Sequence, residues 1–379
     1  MSNEKITCQV CGGKTHAIES HLKQEHPAIT VAEYREKFPD APLFSAAAEE
    51  RIKAKREQAK NPPVAAVSVN GRTKQPMHEV FGLGAIPAAM GGTGKPIMID
   101  VLDPHEYQEY VPEKDPNYVF NIEILKNALL AIQINIPLYC WGHSGTGKST
   151  LIEQIHAHLN RPLVRVQHTL NMEESHVIGE YRVKNGDTVF EPGWLPLAMR
   201  NGWGYLADEY DFGVPHVLSL YQPVLEGKAL VIKEAPPEWR VVKPHHDFRI
   251  MATGNTNGVG DETGLYQGTQ LQNAANYERF GVVMKVEYMA KEVEQQILTT
   301  RCKLAARDAE NMIRFAGFIR DEKRISMPIS PRSLINASRL GVLKSNFRVG
   351  LELAYINRLP AIERETAAQI AQRVFGAAA

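Results

Sequence analysis

From residue 121 onward the apolar positions alternate between two rhythms. Glu123–Ile134 and Lys148–Leu159 carry them at helical spacing, whereas Pro137–Trp141 and Pro162–Val166 are short continuous apolar runs that read as buried strands. Further strands are expected at Trp203–Ala207, Phe248–Ala252 and Val282–Val286, with an amphipathic helix over Val214–Glu226. Strands that alternate with helices form a parallel sheet covered on both faces, so the fold class is α/β. Two hairpins interrupt this order: Glu180–Lys184 turns through Asn185-Gly186 into Asp187–Glu191, and Ala229–Ile232 turns through Pro236-Pro237 into Trp239–Val242. After Lys291 only helical spacing remains, which predicts a small all-helical domain ending near Phe375.

Upstream the texture changes. Residues 1–60 bear cysteines and histidines, 61–76 form a polar, proline-containing linker, and 77–120 are rich in Gly and Pro with only short apolar runs, read as an extended segment. The α/β core is then placed at 121–290 and the helical domain at 291–379.

With 44% hydrophobic and 23% charged residues, the 379-residue chain has an ordinary globular composition and is long enough for two or three domains. Basic and acidic residues balance at 43 each, so no overall field draws it to nucleic acid or an anionic membrane. The longest uncharged stretch, Asn127–Gly147, contains Gln133, Asn135, Pro137 and several glycines, and reads as a helix followed by a strand, not a membrane span. The start, MSNEKITCQV, has no apolar export signal, so a cytoplasmic location is expected. Cys140 and Cys302 are isolated in apolar patterns and read as core residues.

The sharpest local signal is Gly142-His143-Ser144-Gly145-Thr146-Gly147-Lys148-Ser149, which matches G-x-x-x-x-G-K-[ST] between a predicted strand and a predicted helix. Glycines there let backbone N–H groups wrap a phosphate, the helix N-terminus adds positive potential, Lys148 reaches the β/γ-phosphates, and Ser149 offers an oxygen to Mg²⁺. These residues and Thr150 are the candidate ATP cradle. A near match, Gly91-Gly92-Thr93-Gly94-Lys95, lacks the first glycine and the Ser/Thr, and is discarded. Hydrolysis also needs a carboxylate for Mg²⁺ and a group to polarise water, and Gly204–Glu209 ends a strand in Asp208 and Glu209, which take those roles. Asn255, at the end of another buried strand, is a candidate to hold the water or the γ-phosphate.

This succession, followed by Glu278-Arg279-Phe280 and Ser330-Pro331-Arg332, resembles the AAA+ ATPases. The hairpins look like those of the MoxR and chelatase branch, and Val80–Glu294 resembles the CobS-type subunits of aerobic cobaltochelatases. HEVFGL (78–83), GHSGTGKSTLIEQIHAHLNRPLVRV (142–166), ADEYDFG (207–213), PHHDFRIMATGNTNGVGDETGLYQGTQ (244–270) and YERF (277–280) carry that resemblance. It implies Arg279 as an arginine finger for a neighbouring subunit's ATP, Arg332 as the sensor-2 arginine, and a ring, taken as a hexamer. It also implies cobalt insertion into a corrin precursor, driven by ATP, with a von Willebrand A-type partner and a large chelatase subunit. The motifs carry the motor more than the cobalt chemistry, so a remodelling ATPase with a protein client and a nucleic-acid-directed ATPase stay open.

Cys8-x2-Cys11-x9-His21-x4-His26 has the residue types and spacing of a structural Zn²⁺ site and, with residues 20–43, resembles the Ros/MucR type of zinc finger. His16 competes as a ligand. Residues 1–60 hold ten basic and nine acidic side chains, so the module is read as a docking element; DNA contact, through the basic Arg51–Lys60, is the less favoured alternative.

Overall fold

The computed structural model describes residues 5–27, 29–46, 48, 71–261 and 264–376. Two compact units make up the chain, Met1–Ala66 and Val67–Ala379. The basic stretch Arg51–Lys60 lies outside the described residues.

In the first unit Ile6–Thr7 pairs antiparallel with Lys14–Thr15, and helices Ile18–Glu25 and Val31–Lys37 follow. The second helix starts at a capping box: the Thr30 hydroxyl accepts from the Glu33 N–H at 3.3 Å, and the Glu33 carboxylate accepts from the Thr30 N–H at 2.8 Å. Its buried core among the described residues is Cys8, Ile18, Leu22 and Tyr34. Ile6, Ile29, Val31, Phe38, Ala41 and Leu43 pack against it partly buried, and an apolar core this small among the described residues is of the kind that small domains reinforce with a disulfide or a metal.

The second unit is built on a parallel sheet of β1 (Leu138–Trp141), β2 (Leu163–Gln167), β3 (Gly204–Asp208), β4 (Arg249–Gly254) and β5 (Val282–Lys285), in the order β5-β1-β4-β3-β2. Alternate residues of each strand point to opposite faces, and the side chains sort accordingly. Tyr139, Tyr205, Ala207, Ile250 and Ala252 join one core with Leu195, Met199, Val217 and Val224. Leu138, Cys140, Leu206 and Met251 join the other with Leu125, Leu129, Ile152 and Ile155. Both faces are therefore covered by helices, as the apolar runs predict. Beyond the sheet, helices Lys291–Cys302, Ala306–Asp321, Pro331–Leu343, Phe347–Ala354 and Ala361–Phe375 enclose a separate core around Phe315, Leu334 and Leu351. No described helix is long and apolar enough to cross a membrane.

Three expectations change. Arg72–Pro76, inside the stretch read as linker, is a strand paired antiparallel with Met98–Leu102, and the extended segment after it packs on the sheet domain, with Met77, Phe81, Ile99 and Phe120 buried in the second core. The helix expected over Val214–Glu226 is two, Pro215–Ser219 and Tyr221–Leu225, because Pro223 has no N–H to give to the Ser219 carbonyl. The hairpin at 229–242 pairs only Leu230–Val231 with Val241–Val242, since Pro236-Pro237 starts a short helix, Pro237–Arg240, where a turn was expected. The other hairpin forms as Gly179–Lys184 against Asp187–Pro192.

Register brings the chemistry to one edge. Gln167 pairs with Asp208, and Gly254 with Trp141, so the strand ends that precede Gly142, Glu209 and Asn255 are level. Gly254 is fixed by crowding: a Cβ there would lie 1.9 Å from Tyr139 Oη and 3.0 Å from Asp211 Cγ. Gly254→Ala should therefore destabilise the unit by about 1–3 kcal/mol, the usual cost of overpacking, read as a lowered midpoint in denaturant.

Candidate functional site

The phosphate loop runs between β1 and the helix Lys148–His158. Two glycines make its turn possible. Gly142 has φ +147° and a Cβ would meet the Val286 carbonyl oxygen at 2.2 Å, while Gly147 has φ +90° where the helix begins. The buried Lys148 ammonium donates to the carbonyls of Gly142 at 2.7 Å and His143 at 2.9 Å, and to Asn255 Oδ1 at 3.1 Å. Burial pulls its pKa down to about 8, against the attraction of Asp211, Asp208 and Glu209.

At the end of β3, Asp208 is buried and fully engaged. Its Oδ1 accepts from Ser149 Oγ at 2.6 Å and from the Thr253 hydroxyl, and its Oδ2 accepts from Arg165 Nε at 2.8 Å. Burial works to raise this carboxyl, but those hydrogen bonds and the Arg165 guanidinium outweigh it and hold it below the ordinary carboxylate range. An anionic Asp208 beside the Ser149 hydroxyl is the pair of oxygen donors that suits Mg²⁺. Glu209 follows in the left-handed region at φ +51°, an uncommon backbone for a non-glycine residue that is often found at functional turns. Its Oε2 accepts from Gln167 Nε2 at 2.7 Å.

Asn255 is positioned by Asp211. One carboxylate oxygen of this buried side chain accepts from the N–H of Asn255 at 2.7 Å and from the N–H of Thr256 at 2.9 Å, which fixes the turn after β4. Burial raises the Asp211 pKa, although these N–H groups pull it back. The helix Pro331–Leu343, capped by Ser330, abuts the loop so closely that a Cβ on Gly145 would lie 2.7 Å from Ser330 Cβ. Arg332, in its first turn, borders two cavities. One, of about 300 Å³, joins Gly145–Gly147 and Thr150 to the apolar side chains of Tyr118, Ile297 and Ile335; the other, of about 330 Å³, reaches Ser144 and Asn255. A larger cavity of about 420 Å³ lies around helices Phe347–Ala354 and Ala361–Phe375 and touches none of these loop residues. Chemistry, not size, singles out the first two.

The structure thus brings together Lys148, Ser149, Asp208, Asn255 and Arg332, with Glu209 at the same sheet edge. Arg279 stands elsewhere: its Nε donates to Glu226 Oε1 at 2.7 Å, and it lines neither cavity.

In the first unit Cys8, Cys11, His21 and His26 converge, with all four ligand atoms within 4.8 Å of one another. Cys11 Sγ is 3.1 Å from His21 Nε2, and the buried His26 Nε2 has no hydrogen-bond partner. Burial pushes the Cys8 thiol up, but the backbone N–H groups of Val10 and Cys11 outweigh it, leaving it below its ordinary value. Two sulfurs and two imidazole nitrogens this close fit a tetrahedral Zn²⁺, whose ligand atoms sit about 2.0–2.3 Å from the metal. His16 is turned away, its Nδ1 being 3.0 Å from Ser45 Oγ. A second grouping, His245, His246 and Asp247, already holds the Arg72 guanidinium, which bonds both His246 and Asp247, so it does not suit a cation.

Sequence reasoning missed Arg165, Thr253 and Asp211, which hold Asp208 and Asn255 in place. Arg165 lies in LVRVQ, where an alternating charge reads as solvent-facing, and Asp211 is one of three acids in ADEYD. Only the position of Thr253, two residues before Asn255 on a buried strand, carried a signal.

A family model for the AAA domain (dynein-related subfamily) matches residues 138–301. The chain is similar to the aerobic cobaltochelatase subunit CobS of a Sinorhizobium species, 35% identical over 285 residues, covering 70% of this chain and 83% of that protein. It is similar also to BssE, a candidate chaperone of Thauera aromatica, at 27% identity over 60% of this chain and 78% of that protein. Protein CbbQ of Hydrogenophilus thermoluteolus is 24% identical over 61% of this chain and 84% of its own length.

Proposed function

The chain belongs to the AAA+ ATPases, in the family that includes the aerobic cobaltochelatase subunit CobS, and on that premise we propose that it is the motor subunit of a chelatase-type complex, using ATP hydrolysis to drive cobalt insertion into a corrin precursor. The observation that carries this reading is the 35% identity to CobS over 83% of that protein, together with a phosphate loop whose Ser149 meets a buried anionic Asp208.

In this reading Lys148 balances the charge of the β/γ-phosphates, while Ser149 and Asp208 would hold Mg²⁺, whose charge would offset the charge that develops on the departing ADP. Glu209 takes a proton from the attacking water, and Asn255, fixed by Asp211 and bonded to Lys148, orients that water or the γ-phosphate. Arg332 enters from the helical domain, so cleavage changes how that domain is gripped. Arg279 serves the site of a neighbouring subunit, which makes the working form a ring, six-membered by the resemblance. The partners are a von Willebrand A-type protein and a large chelatase subunit, where the metal chemistry resides. Zn²⁺ at Cys8, Cys11, His21 and His26 is structural and folds the first unit as a docking module.

Combining the chain with the von Willebrand A-type protein and large chelatase subunit of its own host tests the reading. Cobalt insertion, followed by the corrin's visible absorption, should require this chain, ATP and Mg²⁺ together. Full insertion without the chain would overturn it. Similarity to BssE keeps a second reading in view, a remodelling ATPase with a protein client, which predicts ATPase stimulation by a protein other than a chelatase subunit.

A further inference from the structure

The second cavity bordered by Arg332 contains Tyr266, a residue within the 244–270 stretch that carries the family resemblance but one given no role so far. Tyr266 lies on the loop between Asn255 and Arg279, and its hydroxyl oxygen is 3.1 Å from the Ser144 backbone nitrogen and 3.0 Å from His143 Nδ1. Both partners belong to the phosphate loop. The side chain is half-buried, and the Tyr266 N–H donates to Asp261 Oδ2 at 2.6 Å, which ties the residue into its own loop.

Which phosphate would meet this hydroxyl follows from the loop's direction. The Lys148 ammonium, the group that meets the β/γ-phosphates, is bonded to the Gly142 and His143 carbonyls and to Asn255, so the γ end lies at the start of the loop. Ser144, Asn255, Tyr266, Arg332 and Arg358 line the cavity at that end. The apolar side chains of Tyr118, Ile297 and Ile335, suited to a purine, line the other cavity, beside Thr150. A nucleotide laid along the loop with its base there therefore presents its γ-phosphate end towards Tyr266.

We propose that Tyr266 is a further γ-phosphate-sensing residue of this ATP site beside Asn255 and Arg332, donating its hydroxyl proton to a γ-phosphate oxygen. The chemistry is self-consistent: the hydroxyl accepts from the Ser144 N–H through one lone pair and keeps its proton to donate, to His143 Nδ1 here or to a better acceptor that takes its place. A phosphate oxygen is a stronger acceptor than the neutral imidazole of His143, whose pKa is lowered by burial and by Lys148. ADP has no oxygen at this place. Tyr266 therefore separates ATP from ADP, which Lys148 and the backbone N–H groups, shared by both nucleotides, do less well.

This inference rests on the nucleotide-site reading above, and the test keeps the two apart. Binding of ADP and of a non-hydrolysable ATP analogue, both with Mg²⁺, is measured by calorimetry on the full chain and on Tyr266→Phe. The substitution keeps the ring and removes only the hydroxyl. The ATP analogue should bind about tenfold more weakly, the usual effect of losing one hydrogen bond to a charged group, with ADP affinity within about twofold of the parent. Equal affinities in variant and parent overturn the inference, as does an equal loss for both nucleotides, which would mark Tyr266 as a prop of the loop. A parent chain that binds neither nucleotide would overturn the site reading and this inference with it.

Discussion

Glu209→Gln is expected to keep ATP binding and to lower turnover by on the order of 10³-fold, the range in which a general base contributes. The geometry makes the two effects separable. In the proposed site the nucleotide would be gripped by Lys148, with its carbonyl and Asn255 partners, and by the Ser149–Asp208 pair; none of these hydrogen bonds involves the Glu209 side chain. That side chain meets Gln167 instead, and a glutamine amide oxygen can accept the same bond. The substitution removes a proton acceptor and little else. Steady-state phosphate release gives the turnover, and calorimetry with Mg²⁺-ATP gives the affinity. Turnover within a few-fold of the parent would remove Glu209 from its role and move attention to Asn255.

The second large effect concerns the first unit. Its fully buried core among the described residues is four side chains, one of them Cys8 itself, so on the proposed reading Zn²⁺, at about 10–16 kcal/mol apparent for a structural site, would supply a large share of the folding free energy. Cys8→Ser is expected to release one Zn²⁺ per chain and to unfold the module around it, seen by metal analysis and by protease cleavage confined to the first 45 or so residues. ATP hydrolysis should stay within about twofold, because residues 67–379 form a compact unit of their own. Equal zinc content in variant and parent would contradict the site. The pH dependence has a definite sign: the ligands bind metal as thiolate and neutral imidazole, so acidification protonates them and loosens the module.

Much of this was legible in advance, and the parts that were not share a cause. Strands such as Leu138–Trp141 and Gly204–Asp208 announce themselves because a strand buried on both faces is an unbroken apolar run. The phosphate loop is legible because its glycines are demanded by local backbone geometry. Strand order is not local, and neither is the grip on Asp208, which draws Arg165 from β2 and Thr253 from β4, forty-five residues away. The segment 77–120 is illegible for a similar reason. Met77, Phe81, Ile99 and Phe120 are buried by the domain they pack against, without a periodic pattern of their own. Pro223 shows the reverse case, a visible local signal that outranked the amphipathic pattern around it.

Arg279 carries the central claim, that each ATP site is completed by the next subunit. In one chain this arginine is paired with Glu226 and lies outside the cavities bordered by Arg332. The most direct test mixes two inactive proteins. Glu209→Gln lacks a working base but keeps its finger; Arg279→Ala keeps its base but lacks a finger, a loss of on the order of 10³-fold or more when the finger is supplied in trans. In mixed rings an intact Arg279 from the first protein faces an intact Glu209 in the second, so ATP hydrolysis is predicted to recover well above that of either protein alone. No recovery at any mixing ratio, with both proteins shown to assemble, would contradict a shared site.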